Sequence, residues 1–290
     1  MNNIVLLIMF KSLINFFFFI KFHHSVKNLL ILLPLFAAHN FKIIFNFDWI
    51  LHFFYWSIFS HFAYYVNNLY DYNSDAKNIL KNIKYYKPNK KIIIFWSIFI
   101  LTILLLEFNY LLKNILILYL LLNIFYTFFF KKIKFFDIFI LSIFFILRIL
   151  YGAIYFDISL SVYFIFFIFF ILFCLSMNKR IVELIYNPNS LRPYYSSDIK
   201  IMNYIYYLSF TFSLLIFLFY IFTNQAKNLY INNYFLLINL FIYIGIFKNF
   251  TFQTRNHPYI DIIIFIYKDK INFILLILFI FIFFINVKSF

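Results

Sequence analysis

The chain reads as an all-α, polytopic integral membrane protein with about nine transmembrane helices. Three observations predict that class. Hydrophobic residues make up 66% of the sequence and charged residues 12%, with a mean hydropathy of +0.91, a balance foreign to water-soluble domains. The apolar residues fall in runs close to the roughly 20 residues that a helix needs to cross the hydrocarbon layer. The basic residues gather in the polar segments between alternate runs.

Residues 1–20 are apolar but lack a basic start and a small-residue cleavage site, and Lys11 interrupts them. An amphipathic segment lying along the membrane surface is therefore expected over 1–26, leading into the basic, His-containing KFHHSVKN (Lys21–Asn28). Spans are then expected at 28–46, 49–69, 91–109, 111–130, 135–155, 159–177, 203–223, 230–249 and 271–287. No Pro- or Gly-rich linker and no shift in composition divides them, so residues 1–290 read as a single transmembrane domain.

Charge sets the orientation. With the N-terminus inside, twenty of the 25 basic residues fall in cytoplasmic segments and four (Lys42, Lys113, Lys227 and Lys288) in outer ones, leaving Arg148 within a span. That bias follows the positive-inside rule, so the net charge of +15 is topological first. Nucleic acid is excluded as a partner, because the basic residues lie in short loops between apolar runs.

Composition and motifs remove other chemistries. The single Cys174 lies within an apolar run, which excludes disulfides and cysteine-based metal sites. The six His form no zinc-protease helix motif, and Gly152 and Gly245, the two glycines, build neither a Walker loop nor a dinucleotide fingerprint. The 50 Phe accompany abundant Ile, Asn, Lys and Tyr, the mark of AT-rich coding, so Phe is read as membrane lining.

The stretch that carries chemistry is Asn67–Asp75, NNLYDYNSD, between an apolar run and the most basic loop. Asn67, Asp71 and Asp75 are spaced by four, so on a helix they share one stripe at the membrane surface. Stacked carboxylates repel unless a positive charge lies between them, and hard oxygen ligands on a helix end suit Mg2+ shared with a phosphorylated substrate. The plainer alternative is a solvated helix end. Plainer roles exist for other charges too. Lys131 and Lys132 serve as positive-inside anchors, and Glu183 lies four residues from Lys179 and three from Arg180, within reach of a helix-surface ion pair. Arg148 within a span calls for a partner or a cavity, and Asp137 is placed to pair with it or with Lys131. Glu107 and Asp157 fall on the outer side, where a structural role is expected.

Several of these segments, in this order, resemble the UbiA-type membrane prenyltransferase superfamily, whose first motif has the form N-D-x-x-D-x-x-x-D. The nearest resemblance is to its polyprenyl-phosphate (decaprenyl-phosphate) phosphoribosyltransferase branch. KNLLILLPLFAA (Lys27–Ala38) is similar to the branch's K-N-L-L-x-x-x-P-L opening, and Asn67, Asp71 and Asp75 fall on the acidic motif. YTFFFKKIKFFD (Tyr126–Asp137), LRILYGA (Leu147–Ala153) and NKRIVEL (Asn178–Leu184) match further elements, with YKDK near the last span a weaker match. The chain departs from the pattern at Asn68, where Asp is expected, at Asn178 in place of Gly, and in the loop after Asp75, which keeps Lys77, Lys81 and Lys84 alone. The second Asp-rich motif of the aromatic prenyltransferases is not evident.

The resemblance implies a helical bundle with a polar cavity facing the cytoplasm, in a bacterial inner membrane. It implies Mg2+-dependent transfer of a 5-phosphoribosyl group from phosphoribosyl diphosphate to a polyprenyl phosphate. Asp71 and Asp75 would be catalytic and, with Asn67, hold Mg2+ as a Lewis acid on the leaving diphosphate. Lys77, Lys81 and Lys84 would add charge on the diphosphate and the 5-phosphate. Lys27, Lys131, Arg148, Lys179 and Arg180 would hold the lipid phosphate, with Asn68 and Glu183 completing the substrate-binding set. Two other readings stand beside this one. A prenyltransferase using a prenyl diphosphate and an aromatic acceptor predicts a second carboxylate pair, for which Glu183 and Asp198 are the available residues. A non-catalytic carrier or assembly partner predicts charge pairs along the spans.

Overall fold

The computed structural model describes residues 22–38, 46–72, 91–107, 109–186, 193–232, 234–256 and 269–287. Among these residues there is no strand, and an isolated antiparallel bridge joins Tyr230 to Val287. A 3-10 segment, Phe22–Leu32, leads into α1 (Leu33–Ala37). Then come α2 (Trp49–Tyr70), α3 (Lys91–Leu106), α4 (Tyr110–Phe128), a 3-10 turn at Phe130–Lys132, and α5 (Phe136–Tyr155). They are followed by α6 (Val162–Tyr186), a 3-10 turn at Ser196–Asp198, α7 (Ile199–Ile221), α8 (Asn224–Leu229), α9 (Tyr234–Asn256) and α10 (Lys270–Ile285).

Five helices are long and apolar enough to cross a membrane by length and composition: α4, α5, α6, α7 with the turn before it, and α9. They fit an integral membrane protein. α2 is as long as these, but His52, Ser57, Ser60, His61, Asn67 and Asn68 lie along it, and α3 and α10 are 16 residues each. Helix ends follow local chemistry. The side chains of Asn109, Thr223 and Asp269 accept from the free backbone N–H groups at the starts of α4, α8 and α10.

The structure departs from expectation at the first span. Over 28–38 the chain is not one continuous α-helix, since the 3-10 segment hands over to the five-residue α1; 39–45 lie outside the described residues, and 46–48 turn into α2. Pro34 is the local cause. It offers no N–H to the preceding turn and its ring crowds the carbonyl four residues back, so it fits only the first turn of a new helix. The interfacial segment expected over 1–26 lies outside the described residues up to position 21, and its remainder belongs to the 3-10 segment. At the other extreme α6 runs nine residues past the expected end at 177, so NKRIVEL continues the helix. Backbone hydrogen bonding carries the helix on where the apolar run stops.

The chain divides into two compact units. The first holds residues up to 140 together with 144–159; the second holds 141–143 and everything from 160. In the first, α2 is the centre, packed by the 3-10 segment, α3 and α4. Ser57, Ser60 and Ala63, all buried, present small side chains at spacing three, which lets the 3-10 segment come close. Gly152 of α5 serves the same purpose from the opposite direction: a Cβ there would lie 1.9 Å from the carbonyl oxygen of Ile31. Hydrogen is the only side chain that this approach accommodates. In the second unit α6 packs along α7, and α9 packs on α7, α6 and α10. Between α7 and α9 the rings of Phe210 and Phe247 stack with centroids 3.4 Å apart.

Candidate functional site

The C-terminal end of α2 carries Asn67, Asn68 and Asp71 of the acidic motif. α2 closes at Tyr70, and Asp71 caps it with its backbone N–H donating to the carbonyl of Asn67 at 2.9 Å. Asn67 and Asp71 thus lie one helical turn apart, as their spacing predicts. The Oδ1 of Asn67 is buried and accepts no hydrogen bond among the described residues. Asn68, the departure from the acidic pattern, is 1% exposed. Asp75, Lys77, Lys81 and Lys84 lie outside the described residues.

Lys131 meets this helix end from the 3-10 turn after α4. Its Nζ donates to Asp71 Oδ1 at 2.6 Å and lies 4.3 Å from the centroid of the Tyr70 ring. The Lys131 side chain is 7% exposed and that of Asp71 16%. Taking an ammonium that far out of water is costly unless a carboxylate and an aromatic face compensate it, and both are present. Lys132 stays in solvent, with its Nζ 3.5 Å from the Tyr70 hydroxyl. The turn that presents both lysines closes with Phe135 in the left-handed region, at φ 64°. That geometry is costly for an aromatic residue by about 1–2 kcal/mol. The positive charge that the acidic stripe requires is therefore supplied, at Asp71, from within the chain.

Arg148 forms the second polar centre of the same unit. It is 2% exposed, and its guanidinium donates from Nε to Asn28 Oδ1 at 3.0 Å and from its terminal nitrogens to the Phe144 carbonyl at 2.6 Å and the Tyr119 hydroxyl at 3.3 Å. The amide nitrogen of Asn28 in turn donates to Ser57 and Ser60 of α2 at 3.0 and 3.2 Å. Asn28 therefore links three elements through a single amide: the 3-10 segment, α2 and α5. Trp56, Tyr119 and Phe145 place ring centroids 5.4–5.8 Å from the guanidinium carbon. Of the two partners expected for Asp137, Arg148 is ruled out, because the hydrogen-bond partners of Arg148 among the described residues are all neutral. Lys27, the neighbour of Asn28, is half-buried, with Nζ 3.4 Å from His24 Nδ1.

The remaining sequence-derived residues lie in the second unit, on the last turns of α6. Arg180, 3% exposed, pairs with Glu183 three residues on, the helix ion pair that their spacing allows. Lys179 is half-buried beside them. Asn178 is 2% exposed, and its amide nitrogen donates to Thr254 of α9 at 2.8 Å.

The structure thus joins Asp71 to Lys131 with Asn67 alongside, and joins Arg148 to Asn28. Asn28, Tyr70 and Tyr119 are the residues that sequence reasoning passed over. A signal for the first existed: a span containing Arg148 needs buried polar partners, and Ser57 and Ser60 mark where another element brings them. No group of three or more His, Cys, Asp and Glu converges among the described residues. The oxygen donors at the α2 end, Asp71 carboxylate and the unsatisfied Asn67 Oδ1, are nonetheless of the type that hard divalent cations take. Compared with known proteins, the chain matches no protein-family model and no curated protein in sequence.

Proposed function

We propose that the chain is a membrane transferase of the UbiA type, moving a 5-phosphoribosyl group from phosphoribosyl diphosphate to a polyprenyl phosphate at the end of α2. The observation that carries this reading is the Lys131–Asp71 contact beside Asn67. It puts a carboxylate, an uncommitted amide oxygen and an ammonium within one small region at a helix end. The ordered resemblance of Lys27–Ala38, Asn67–Asp75, Tyr126–Asp137, Leu147–Ala153 and Asn178–Leu184 to that superfamily supports it. The nine-span count, an inward-facing N-terminus and a polar cavity open to the cytoplasm belong to the same reading, supported by the distribution of basic residues.

In such a transfer the bond from ribose C1 to the diphosphate oxygen breaks and a bond from C1 to the lipid phosphate oxygen forms, releasing diphosphate. Asp71, Asp75 and the Asn67 oxygen would hold Mg2+, which supplies Lewis-acid stabilisation to the departing diphosphate. Lys131 pairs with Asp71, and its ammonium would serve the anionic substrate were Asp71 to hold the metal. Lys27 holds acceptor phosphate, which is already anionic and needs positioning more than deprotonation. Arg148 and Asn28 fix the backbone that carries Lys27. Lys179, Arg180 and Glu183 are assigned to substrate binding by the resemblance alone.

Membranes containing the protein, given labelled phosphoribosyl diphosphate and a polyprenyl phosphate, test the donor directly. EDTA-sensitive movement of label into lipid is expected. Activity with a prenyl diphosphate and an aromatic acid in its place would transfer the assignment to prenyl transfer, and silence with both donors would reject a transferase role.

A further inference from the structure

In the second unit, α6, α7 and α9 bring together a polar cluster that the transferase reading does not use. α6 and α9 end side by side, since the Tyr186 hydroxyl donates to the Arg255 carbonyl at 2.9 Å and Asn178 donates to Thr254. α7 begins at the same place, with Asn203 Oδ1 accepting from a terminal nitrogen of Arg255 at 2.8 Å. The rings of Tyr206 and Tyr207 lie 5.5 and 5.7 Å from the Arg255 guanidinium carbon and fix its plane.

Two features of this cluster are unexplained by packing. Arg255 forms no ion pair among the described residues, and its Nε is buried without an acceptor. The Oδ1 of Asn178, a residue 2% exposed, is buried without a donor. A half-buried guanidinium held by neutral groups, with its Nε unpaired, keeps donor capacity for an anionic acceptor. An unpaired buried donor or acceptor costs about 1–3 kcal/mol, and Asn178 of α6, which carries the acceptor, is tied to Thr254, the residue before Arg255 on α9. A planar guanidinium suits the paired oxygens of a phosphate, whereas the lone amide oxygen suits a donor such as a hydroxyl.

We propose that Arg255, Asn203 and Asn178 form a binding site for a phosphate ester that carries a neighbouring hydroxyl. Arg255 takes the phosphate from the edge that Asn203 leaves free, and Asn178 receives the hydroxyl. The phosphate belongs either to a lipid headgroup or to a soluble ester, because the site lies at helix ends where both arrive. This inference stands on the second unit alone and holds whether or not the protein is a transferase.

The test uses the full chain. In the lipid arm, native mass spectrometry follows retention of phosphatidylglycerol against phosphatidylcholine, which lacks the free hydroxyl and carries a compensating cation. In the soluble arm, the thermal shift with glycerol 3-phosphate is compared with that in chloride. Wild type should retain phosphatidylglycerol, or shift with glycerol 3-phosphate, and the responding arm identifies the source. Arg255→Gln should weaken the response about tenfold or more. Should that variant fail to fold, Arg255→Lys keeps the charge without the planar edge and should still weaken it. Asn178→Leu should narrow the preference for the hydroxylated ligand. Failure of the wild type to respond in both arms, or an undiminished response in Arg255→Gln and Arg255→Lys, would overturn the proposal.

Discussion

Lys131 and Asp71, sixty residues apart in sequence, meet with Nζ 2.6 Å from Oδ1 at the end of α2. Both side chains are largely withdrawn from water. A buried pair of this kind is costly to assemble and more costly to break, because removing one partner takes away a contact that offsets the desolvation of the other. Lys131→Met should therefore destabilise the protein by about 3–5 kcal/mol. Adding Asp71→Asn to Lys131→Met should return part of that loss. Denaturant unfolding in detergent, followed by circular dichroism, measures both and gives the coupling between them.

The same contact makes Lys131 a competitor for any cation at Asp71. Mn2+, which shares the preference of Mg2+ for oxygen ligands, reports on this by electron paramagnetic resonance. Lys131→Met should bind Mn2+ more tightly than wild type, by about tenfold for each 1.4 kcal/mol of competition removed. Unchanged or weaker binding would separate Lys131 from the cation position.

The two glycines should respond oppositely to alanine. At Gly152 a Cβ meets the Ile31 backbone at 1.9 Å, so Gly152→Ala must push the 3-10 segment off α5, at a cost of about 1–3 kcal/mol or more. At Gly245 the nearest neighbour is the tip of Leu275 at 3.9 Å, within ordinary contact. Gly245→Ala should instead stabilise α9 by about 0.5–1 kcal/mol, since alanine has the smaller backbone entropy loss in a helix. Paired melting curves decide it.

Asn28 is expected to matter as much as the charge it serves. Asn28→Ala leaves a guanidinium nitrogen and two serine hydroxyls short of a partner, at a cost of about 1–3 kcal/mol. Arg148→Lys should not substitute for arginine, because one ammonium cannot reach Asn28, Tyr119 and the Phe144 carbonyl in the directions that a planar guanidinium does. Thermal unfolding of the two variants, each against wild type, measures these losses.

The helices were legible in the sequence wherever an apolar run was long and free of proline. α4 and α5 begin and end within two residues of the expected spans at 111–130 and 135–155. The first span was not legible, because its hydrophobicity is that of a membrane helix while Pro34 divides it. Hydropathy records transfer to lipid, not the backbone donor that proline lacks. The spacing of Asn67 and Asp71 was legible because one turn of helix is a local rule. Their meeting with Lys131 was not, since contacts across sixty residues follow from tertiary packing. Arg148 announced that it needed partners, but the sequence pointed to the carboxylate of Asp137 and left the amide of Asn28 unremarked. Packing chose the amide because the 3-10 segment crosses α5 at Gly152, one turn from Arg148.

Label transfer by Asp71→Ala tests the central claim most directly. Membranes carrying wild type or this variant are given labelled phosphoribosyl diphosphate, a polyprenyl phosphate and increasing Mg2+, and label in the lipid phase is counted. Wild type should transfer label in a Mg2+-dependent manner, and Asp71→Ala should lose that transfer at every Mg2+ concentration while remaining folded in the membrane. Mg2+-dependent transfer at the wild-type rate by Asp71→Ala would contradict the placement of the reaction at the end of α2.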